Sequence, residues 1–190
     1  MRIIAGTKRG MKLLSPKTRD SRPITDRVKE SLFSVLYKYD LPGGAVVADL
    51  FCGVGSLGLE ALSRRAEFVM FVEQDSKIIV TLNKNIEKAG FVRGSKVMRA
   101  NAFRIGAPVG AEAKKYGLVF IDPPYVTTTD VQADSRLGRL MLLLEQQAAD
   151  DGIVVVRTHV QVSLLDKYGE FAVLERRWWG TMAVTILRKI

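Results

Sequence analysis

The sequence predicts an α/β fold in which a mostly parallel sheet carries helices on both faces and ends in an antiparallel hairpin. From about residue 45 onward, short apolar runs alternate with amphipathic stretches of helical period, which is typical of repeated βα units. Near the C-terminus, two strand-like stretches at residues 171–179 and 182–189 are separated only by Gly180-Thr181, which predicts a hairpin. With 190 residues, the chain is long enough for one domain and a small appendage.

The chain before the alternating region has a different character. Residues 1–15 predict a small β-hairpin, and the basic residues 16–24 predict an extended loop. A helix is expected to begin near Thr25 or Asp26, since either side chain can cap its first free N–H groups. The Pro-Gly-Gly at residues 42–44 ends this part of the chain.

The alternating region predicts seven strands in all, counting the terminal hairpin. They lie at residues 45–51, 68–72, 96–101, 117–121, 152–157, 171–179 and 182–189. A helix follows the first strand up to about residue 64, and further helices are predicted at residues 76–89, 137–149 and 161–167. Ser76 is expected to cap the second of these, and Gly90 to end it.

Positive charge is concentrated at the N-terminus. The chain has a net charge of +9 and a pI of about 9.8, and residues 1–29 contain nine Lys or Arg against two Asp, a local net charge of +7. Such a basic segment indicates a polyanionic partner, most often a nucleic acid, although a solvated tail gives the same composition. An anionic membrane is disfavoured because no basic amphipathic helix accompanies the charge. The candidate contacts are Arg2, Lys8, Arg9, Lys12, Lys17 and Arg19.

Cysteine and histidine usage excludes several classes of site. Cys52 is the only cysteine, so an intrachain disulfide is impossible, and we interpret it as a packing residue. His159 is the only histidine, which excludes a His-rich metal site and disfavours a Ser-His-Asp triad. The chain lacks a long apolar run and the apolar stretch of a signal peptide, so a cytoplasmic protein is expected. We also expect a monomer that needs no metal.

A glycine-rich loop follows the first strand of the alternating region. Gly53, Gly55 and Gly58 have the dinucleotide-binding spacing, and Glu73 lies 20 residues beyond Gly53, where an acid that binds ribose belongs. A nicotinamide-dependent oxidoreductase is therefore one interpretation. Asp49 argues against it, because a carboxylate directly before the glycines would repel a pyrophosphate. The chain is also short for a dehydrogenase with its own substrate domain.

S-adenosylmethionine removes this conflict, since its ammonium and sulfonium groups are positive. Asp49 and the glycines then favour binding, and Glu73 can accept hydrogen bonds from both ribose hydroxyls. Gln74 can lie beside the adenine, and Asn101-Ala102 can meet its edge. Each candidate follows a strand, and ligands of open α/β sheets bind outside the carboxyl ends of the strands. The cofactor candidates in this loop and at these strand ends are Asp49, Phe51, Gly53, Gly55, Glu73, Gln74, Asn101 and Ala102.

A second motif, Asp122-Pro123-Pro124-Tyr125, follows the buried strand at residues 118–121. Asp122 and the Pro123 carbonyl can each accept a hydrogen bond from the exocyclic amine of a planar base, and Tyr125 can stack on its ring. The prolines restrict φ and donate no N–H, so the corner is stiff. An ordinary Pro-Pro turn is the alternative interpretation.

Several motifs together resemble the RsmD family of small-subunit (16S) ribosomal RNA (guanine-N2) methyltransferases, which are class I S-adenosylmethionine-dependent enzymes. The resemblance covers nearly the whole chain. It is carried by Met1-Arg2-Ile3-Ile4-Ala5-Gly6, Arg22-Pro23-Ile24-Thr25-Asp26-Arg27-Val28, Asp49 to Leu62, Asp122-Pro123-Pro124-Tyr125 and Trp179-Gly180-Thr181.

This resemblance implies a Rossmann-like fold and a set of roles. Residues 25–190 would form the methyltransferase domain, and residues 1–24 an extension that contacts RNA. Arg22 and Thr25 would help to close the cofactor pocket near the methionyl end, and residues 122–125 would hold the target guanine. Ribosomal RNA, the small subunit or an assembly intermediate is the implied partner.

Three positions depart from the family's pattern. Asn101 replaces a usual Asp, Ser34 replaces a common Asn, and the fifth strand ends in Val156-Arg157-Thr158-His159, where an acidic residue is usual. The alternatives that stay open are an adenine-N6 methyltransferase, a nicotinamide oxidoreductase and a non-catalytic RNA-binding protein.

Overall fold

The computed structural model describes residues 1–15, 24–109 and 114–190. The sheet strands are β1 Val46–Leu50, β2 Phe68–Glu73, β3 Ser95–Arg99, β4 Tyr116–Ile121, β5 Ala148–His159, β6 Lys167–Tyr168, β7 Phe171–Trp179 and β8 Met182–Lys189. The α-helices are α1 Asp26–Leu36, α2 Ser56–Ser63, α3 Ser76–Ala89, α4 Ala102–Ile105 and α5 Arg136–Glu145. Short 3-10 turns lie at Gly6–Lys8, Tyr37–Tyr39, Val92–Gly94 and Tyr125–Thr127. None of the helices in these three ranges is long and apolar enough to cross a membrane.

The strands form one mixed sheet in the order β3-β2-β1-β4-β5-β8-β7-β6. The first five strands of this order are parallel, whereas β8 is antiparallel to both β5 and β7. This confirms the predicted α/β fold with its C-terminal antiparallel hairpin. Strand order reverses between β1 and β4, and the crevice outside the carboxyl ends at such a switch point is where open α/β sheets bind ligands.

Two apolar layers cover the sheet. Because successive strand residues point to opposite faces, Phe120 packs on the face covered by α1, α2 and α3, and Ile121 on the face covered by α5. Phe33 of α1 contacts Phe120, with ring centroids 5.8 Å apart. Burial on both faces explains why the central strands read as continuous apolar runs rather than as alternating patterns.

The described part of the N-terminal segment packs onto the first of these layers. Arg2 and Lys12 form one antiparallel bridge, and the Ile3 N–H donates to the Met11 carbonyl at 2.9 Å. The segment is therefore a short hairpin, as predicted, with a 3-10 turn at its tip. Ile3 and Leu13 join the core below it. The division into a 1–24 extension and a 25–190 domain stays a prediction, and residues 16–23 lie outside the described ranges.

Two predicted helical stretches are wrong. Helix α5 ends at Glu145, and residues 148–149 belong instead to β5, where Ala148 pairs with Tyr116. Residues 161–167 form no helix, since Lys167–Tyr168 becomes the short strand β6 and gives the sheet eight strands rather than seven. The Tyr168 hydroxyl donates to the Val131 carbonyl and accepts from the Leu165 N–H. These tertiary bonds override the local helical pattern.

Helix termini largely follow the predicted chemistry. Thr25 caps α1, with its hydroxyl oxygen 3.4 Å from the Val28 nitrogen. Helix α3 is capped by Asp75 rather than by the predicted Ser76, because the Asp75 carboxylate accepts from the Lys77 N–H at 2.7 Å. Gly90 ends that helix with a φ of 73°, as predicted.

Candidate active site

The loop between β1 and α2 turns through three residues of positive φ. Phe51, Gly53 and Gly55 have φ values of 59°, 55° and 85°. A side chain at Gly55 would place its Cβ 2.5 Å from Leu82 Cδ1, so Leu82 would have to shift, and the positive φ itself favours glycine there. At Gly53 a Cβ would meet no atom within 4 Å, so the backbone of this residue borders open space. Gly53 therefore leaves room for a ligand to approach the loop.

Asp49 connects this loop to its strand. Its carboxylate is 1% exposed and accepts a hydrogen bond of 2.8 Å from the Gly58 N–H. Burial raises the pKa of Asp49 well above its ordinary value, the Gly58 N–H lowers it, and the Asp122 and Glu73 carboxylates raise it further. A cation bound in this crevice would relieve that cost.

Glu73 joins the end of β2 to the same loop. One of its carboxylate oxygens accepts from the Gly53 N–H at 3.0 Å, and the other accepts from the Gln74 and Asp75 N–H groups. The Gln74 side chain is exposed beside it. The carboxylate predicted to bind ribose thus borders the open space at Gly53.

At the end of β3, Asn101 is the N-cap of α4. Its side-chain oxygen accepts from the Phe103 N–H at 3.0 Å, and Ala102 is buried behind it. Phe51 packs on Phe103 with ring centroids 4.6 Å apart. The oxygen of Asn101 serves the cap as the usual Asp would, so the replacement preserves the local fold and removes one negative charge.

The Asp122 corner extends from β4, next to the end of β1. The Asp122 N–H donates to the Leu50 carbonyl at 3.3 Å, Pro123 is buried and Pro124 is exposed. Tyr125 begins a 3-10 turn in which the Thr127 N–H and hydroxyl both donate to the Pro124 carbonyl, at 2.9 and 2.7 Å. These bonds stiffen the corner as the two prolines predict.

Sequence reasoning missed two residues of this corner, Arg157 and His159 at the end of β5. The guanidinium of Arg157 forms an ion pair with Asp122, and its carbon lies 5.8 Å from the centroid of the Tyr125 ring. The His159 ring meets the edge of Tyr125, with centroids 5.7 Å apart. The signal was the basic end of the fifth strand, noted only as a departure from the family's pattern.

Burial and Arg157 act on Asp122 in opposite directions. Burial raises the pKa of the Asp122 carboxyl, and the Arg157 guanidinium lowers it by its charge and its hydrogen bond, with a net rise. The carboxyl therefore titrates above its ordinary range, and an acceptor role requires that it lose its proton.

The other predicted contacts are distributed as follows. Thr25 caps α1, so its hydroxyl is engaged. Arg9 and Lys12 are exposed, Lys8 is half-buried, and Arg2 is exposed but pairs with Asp26 at 2.8 Å. Three predicted contacts lie outside the described residues: Lys17, Arg19 and Arg22.

Comparisons with known proteins identify the family of this chain. The family model described as "Conserved hypothetical protein 95" matches residues 1–188. The chain is 32% identical to "Putative rRNA methyltransferase YlbH" of Bacillus subtilis, across 100% of this chain and 99% of that protein. It is 36% identical to "Ribosomal RNA small subunit methyltransferase D" of Escherichia coli, across 86% of this chain and 77% of that protein.

A solved structure shows the same fold over the whole chain. "Putative methyltransferase yhhF from Escherichia coli" has a TM-score of 0.81 and 30% identity, and the match covers 100% of this chain and 97% of that one. The strand order, the glycine loop and the Asp122 corner thus occur in a chain that matches methyltransferases from end to end. The protein therefore belongs to the family described as conserved hypothetical protein 95, the RsmD family of S-adenosylmethionine-dependent methyltransferases.

Proposed function

We propose that the protein transfers a methyl group from S-adenosylmethionine to the exocyclic N2 of a guanine in small-subunit ribosomal RNA. The observation that carries this proposal is the Asp122 corner, where a carboxylate and an aromatic ring lie beside the glycine loop at the switch point of the sheet. The relatives named for ribosomal RNA methylation point to the substrate class.

The residues present fit S-adenosylmethionine, because the crevice has open space at Gly53 and carboxylates around it. Asp49 would face the positive end of the ligand, and Glu73 its ribose. Gln74, Asn101 and Ala102 would border the adenine. We assign Phe51 to the same pocket through its packing on Phe103, and Arg22 and Thr25 stay predicted members of it.

When bound, S-adenosylmethionine supplies a methyl group that a positively charged sulfur already activates. The chain then contributes position and charge. Asp122 and the Pro123 carbonyl accept hydrogen bonds from the guanine amine and direct its nitrogen lone pair toward the methyl carbon. Methylation would leave N2 positive, and Asp122 or water would take up its proton. Tyr125 stacks on the base, which returns about 1–3 kcal/mol of the cost of unstacking it.

The basic N-terminal segment would bind the RNA backbone. Arg2, Lys8, Arg9 and Lys12 lie on the described part of it, with Lys17 and Arg19 in the stretch that follows. Phosphate contacts of this kind give an affinity that falls steeply with salt. We infer a cytoplasmic monomer that acts without a metal ion on ribosomal RNA, the small subunit or its assembly intermediate.

The test is methyl transfer from labelled S-adenosylmethionine to three substrates: small-subunit ribosomal RNA, assembled small subunits and duplex DNA. The modified nucleoside is identified by mass. We expect N2-methylguanosine from at least one ribosomal substrate. Detection of N6-methyladenine would assign the protein to the adenine-N6 methyltransferases. RNA binding without a methylated product on any substrate would favour a non-catalytic role. Stabilisation by NAD(P) rather than by S-adenosylmethionine would favour an oxidoreductase.

A further inference from the structure

The end of β5 places a permanent cation against the predicted reaction centre. Ile121 and Val156 are partners in the β4–β5 register, so the next residues, Asp122 and Arg157, lie side by side at the carboxyl edge. Their side chains form an ion pair and are only 17% and 13% exposed. The planar guanidinium presents its N–H donors in a fixed arrangement, so the pair orients both side chains.

The surroundings of Asp122 explain why a cation matters there. Asp49 on β1 and Glu73 on β2 are carboxylates in the same crevice, and the charges of Asp49 and Asp122 repel each other. Burial favours the protonated form of the Asp122 carboxyl, and the neighbouring carboxylates add negative charge to the crevice. Lys29 of α1 offsets part of the negative charge at Asp49, and Arg157 contacts Asp122 directly. The other titratable groups of the corner are Tyr125, whose ring lies 5.8 Å from the guanidinium carbon, and His159, whose ring meets the edge of Tyr125.

We propose that Arg157 is a positioning residue for methyl transfer. Its guanidinium keeps the Asp122 carboxylate ionised and turned so that the second carboxylate oxygen faces the amine of the target base. The ion pair joins Nε of Arg157 to Oδ1 of Asp122, and we assign Oδ2 as the acceptor for the amine. The same guanidinium lies against Tyr125, so one side chain supports both groups that hold the base. This inference rests on the proposed function and adds a residue to its machinery.

A different role for the same contacts makes the opposite prediction. If Arg157 only filled the space of the base between Asp122 and Tyr125, its removal would open the site and speed the reaction. If the ion pair were only structural, its removal would lower stability and leave the pH dependence of the reaction unchanged. A positioning role requires that removal of Arg157 slows the reaction and displaces the acid limb of its pH–rate profile.

The test compares Arg157→Gln and Arg157→Lys with a control, Arg177→Gln. Arg157 and Arg177 are both cross-strand partners of Val184 on β8, so they lie in one row of the sheet. The ion pair of Arg177 is with Glu175 rather than with Asp122. For each variant, kcat and KM on the ribosomal substrate are measured across pH, together with the Kd for S-adenosylmethionine. We expect Arg157→Gln to lower kcat about 100-fold, the size of effect that a misplaced group produces. The Kd should change less than about twofold, since Arg157 acts through Asp122.

The pH profile separates positioning from structure. Without Arg157 the pKa of Asp122 rises further, so the acid limb of kcat/KM moves to higher pH, and Arg157→Lys restores part of both kcat and the limb. An Arg157→Gln enzyme that is folded, as active as Arg177→Gln and unshifted in pH would overturn the proposal. A faster Arg157→Gln enzyme would do the same.

A second readout does not depend on turnover. The Asp122 carboxyl is titrated by carbon NMR in the free protein and assigned by its absence in Asp122→Asn. We expect a higher pKa in Arg157→Gln than in the wild type, and an unchanged titration would overturn the inference. If the wild type made no methylated product, the proposed function would fail, and this titration would still decide the role of Arg157.

Discussion

Glu60 of α2 anchors the N-terminal segment by hydrogen bonds to its backbone. Removal of this side chain tests what holds the basic residues of the segment in place. The Glu60 side chain is fully buried and accepts from the Ile4 and Ala5 N–H groups at 2.7 and 3.0 Å. It also pairs with Arg64 at 2.7 Å and with the buried Lys29 at 3.5 Å. Glu60→Ala therefore removes the acceptor of both N–H groups and the carboxylate partner of both cations, although Lys29 keeps a backbone carbonyl at 2.7 Å.

The expected loss of stability follows from these contacts. Removing one partner of a buried ion pair costs about 3–5 kcal/mol, and each orphaned backbone N–H adds about 1 kcal/mol. Burial already lowers the pKa of Lys29, so loss of its proton can relieve part of the penalty. We expect the free energy of unfolding to fall by about 5 kcal/mol, the lower end of that sum, in urea titrations at neutral pH.

A matched control separates this effect from the loss of any carboxylate. Glu67→Ala removes an ion pair with Lys114 whose partners are 47% and 70% exposed, so at most about 1 kcal/mol should be lost. Hydrogen exchange should also quicken at Ile4 and Ala5 in the Glu60 variant only. Equal losses in the two variants, or unchanged protection of Ile4 and Ala5, would refute the reasoning.

Two further predictions concern ligand contacts. Gly53→Ala should weaken S-adenosylmethionine binding at least tenfold by calorimetry, because the new Cβ enters the open space at the loop. The control is Gly44→Ala, where φ is a similar 68° and a Cβ also meets no atom within 4 Å. This control should share the backbone cost of about 1 kcal/mol but bind the cofactor normally. Arg9→Gln should weaken RNA binding and reduce the slope of log K against log salt by about 1, whereas Arg93→Gln, an exposed charge beside β3, should leave the slope unchanged. Normal binding by Gly53→Ala, or equal slopes for the two arginine variants, would contradict these assignments.

The central sheet and the glycine loop were predictable because their signals are local. Each signal is a short stretch of consecutive residues: an apolar run bounded by glycine, with Asp49 or Glu73 at the end of the strand. The Asp122 corner was predictable for the same reason, since two prolines follow the carboxylate directly.

What could not be predicted depends on contacts between distant segments. Strand β6 exists because Lys167 and Tyr168 pair with residues of β7, and the Tyr168 hydroxyl donates to the distant Val131 carbonyl. The pairing of Arg157 with Asp122 requires the β4–β5 register, which the sequence does not specify to a single residue. Asp75 replaced Ser76 as the cap of α3, an error of one residue that is usual at helix ends.

The measurement that tests the account most directly is single-turnover methyl transfer by Asp122→Asn, with the Kd for S-adenosylmethionine measured on the same preparation. The amide keeps the shape of the corner and removes the charge that orients and stabilises the amine. The account predicts a rate at least about 100-fold below that of the wild type with cofactor affinity unchanged within about twofold. A rate near that of the wild type would contradict the assignment of Asp122 as the centre of the reaction.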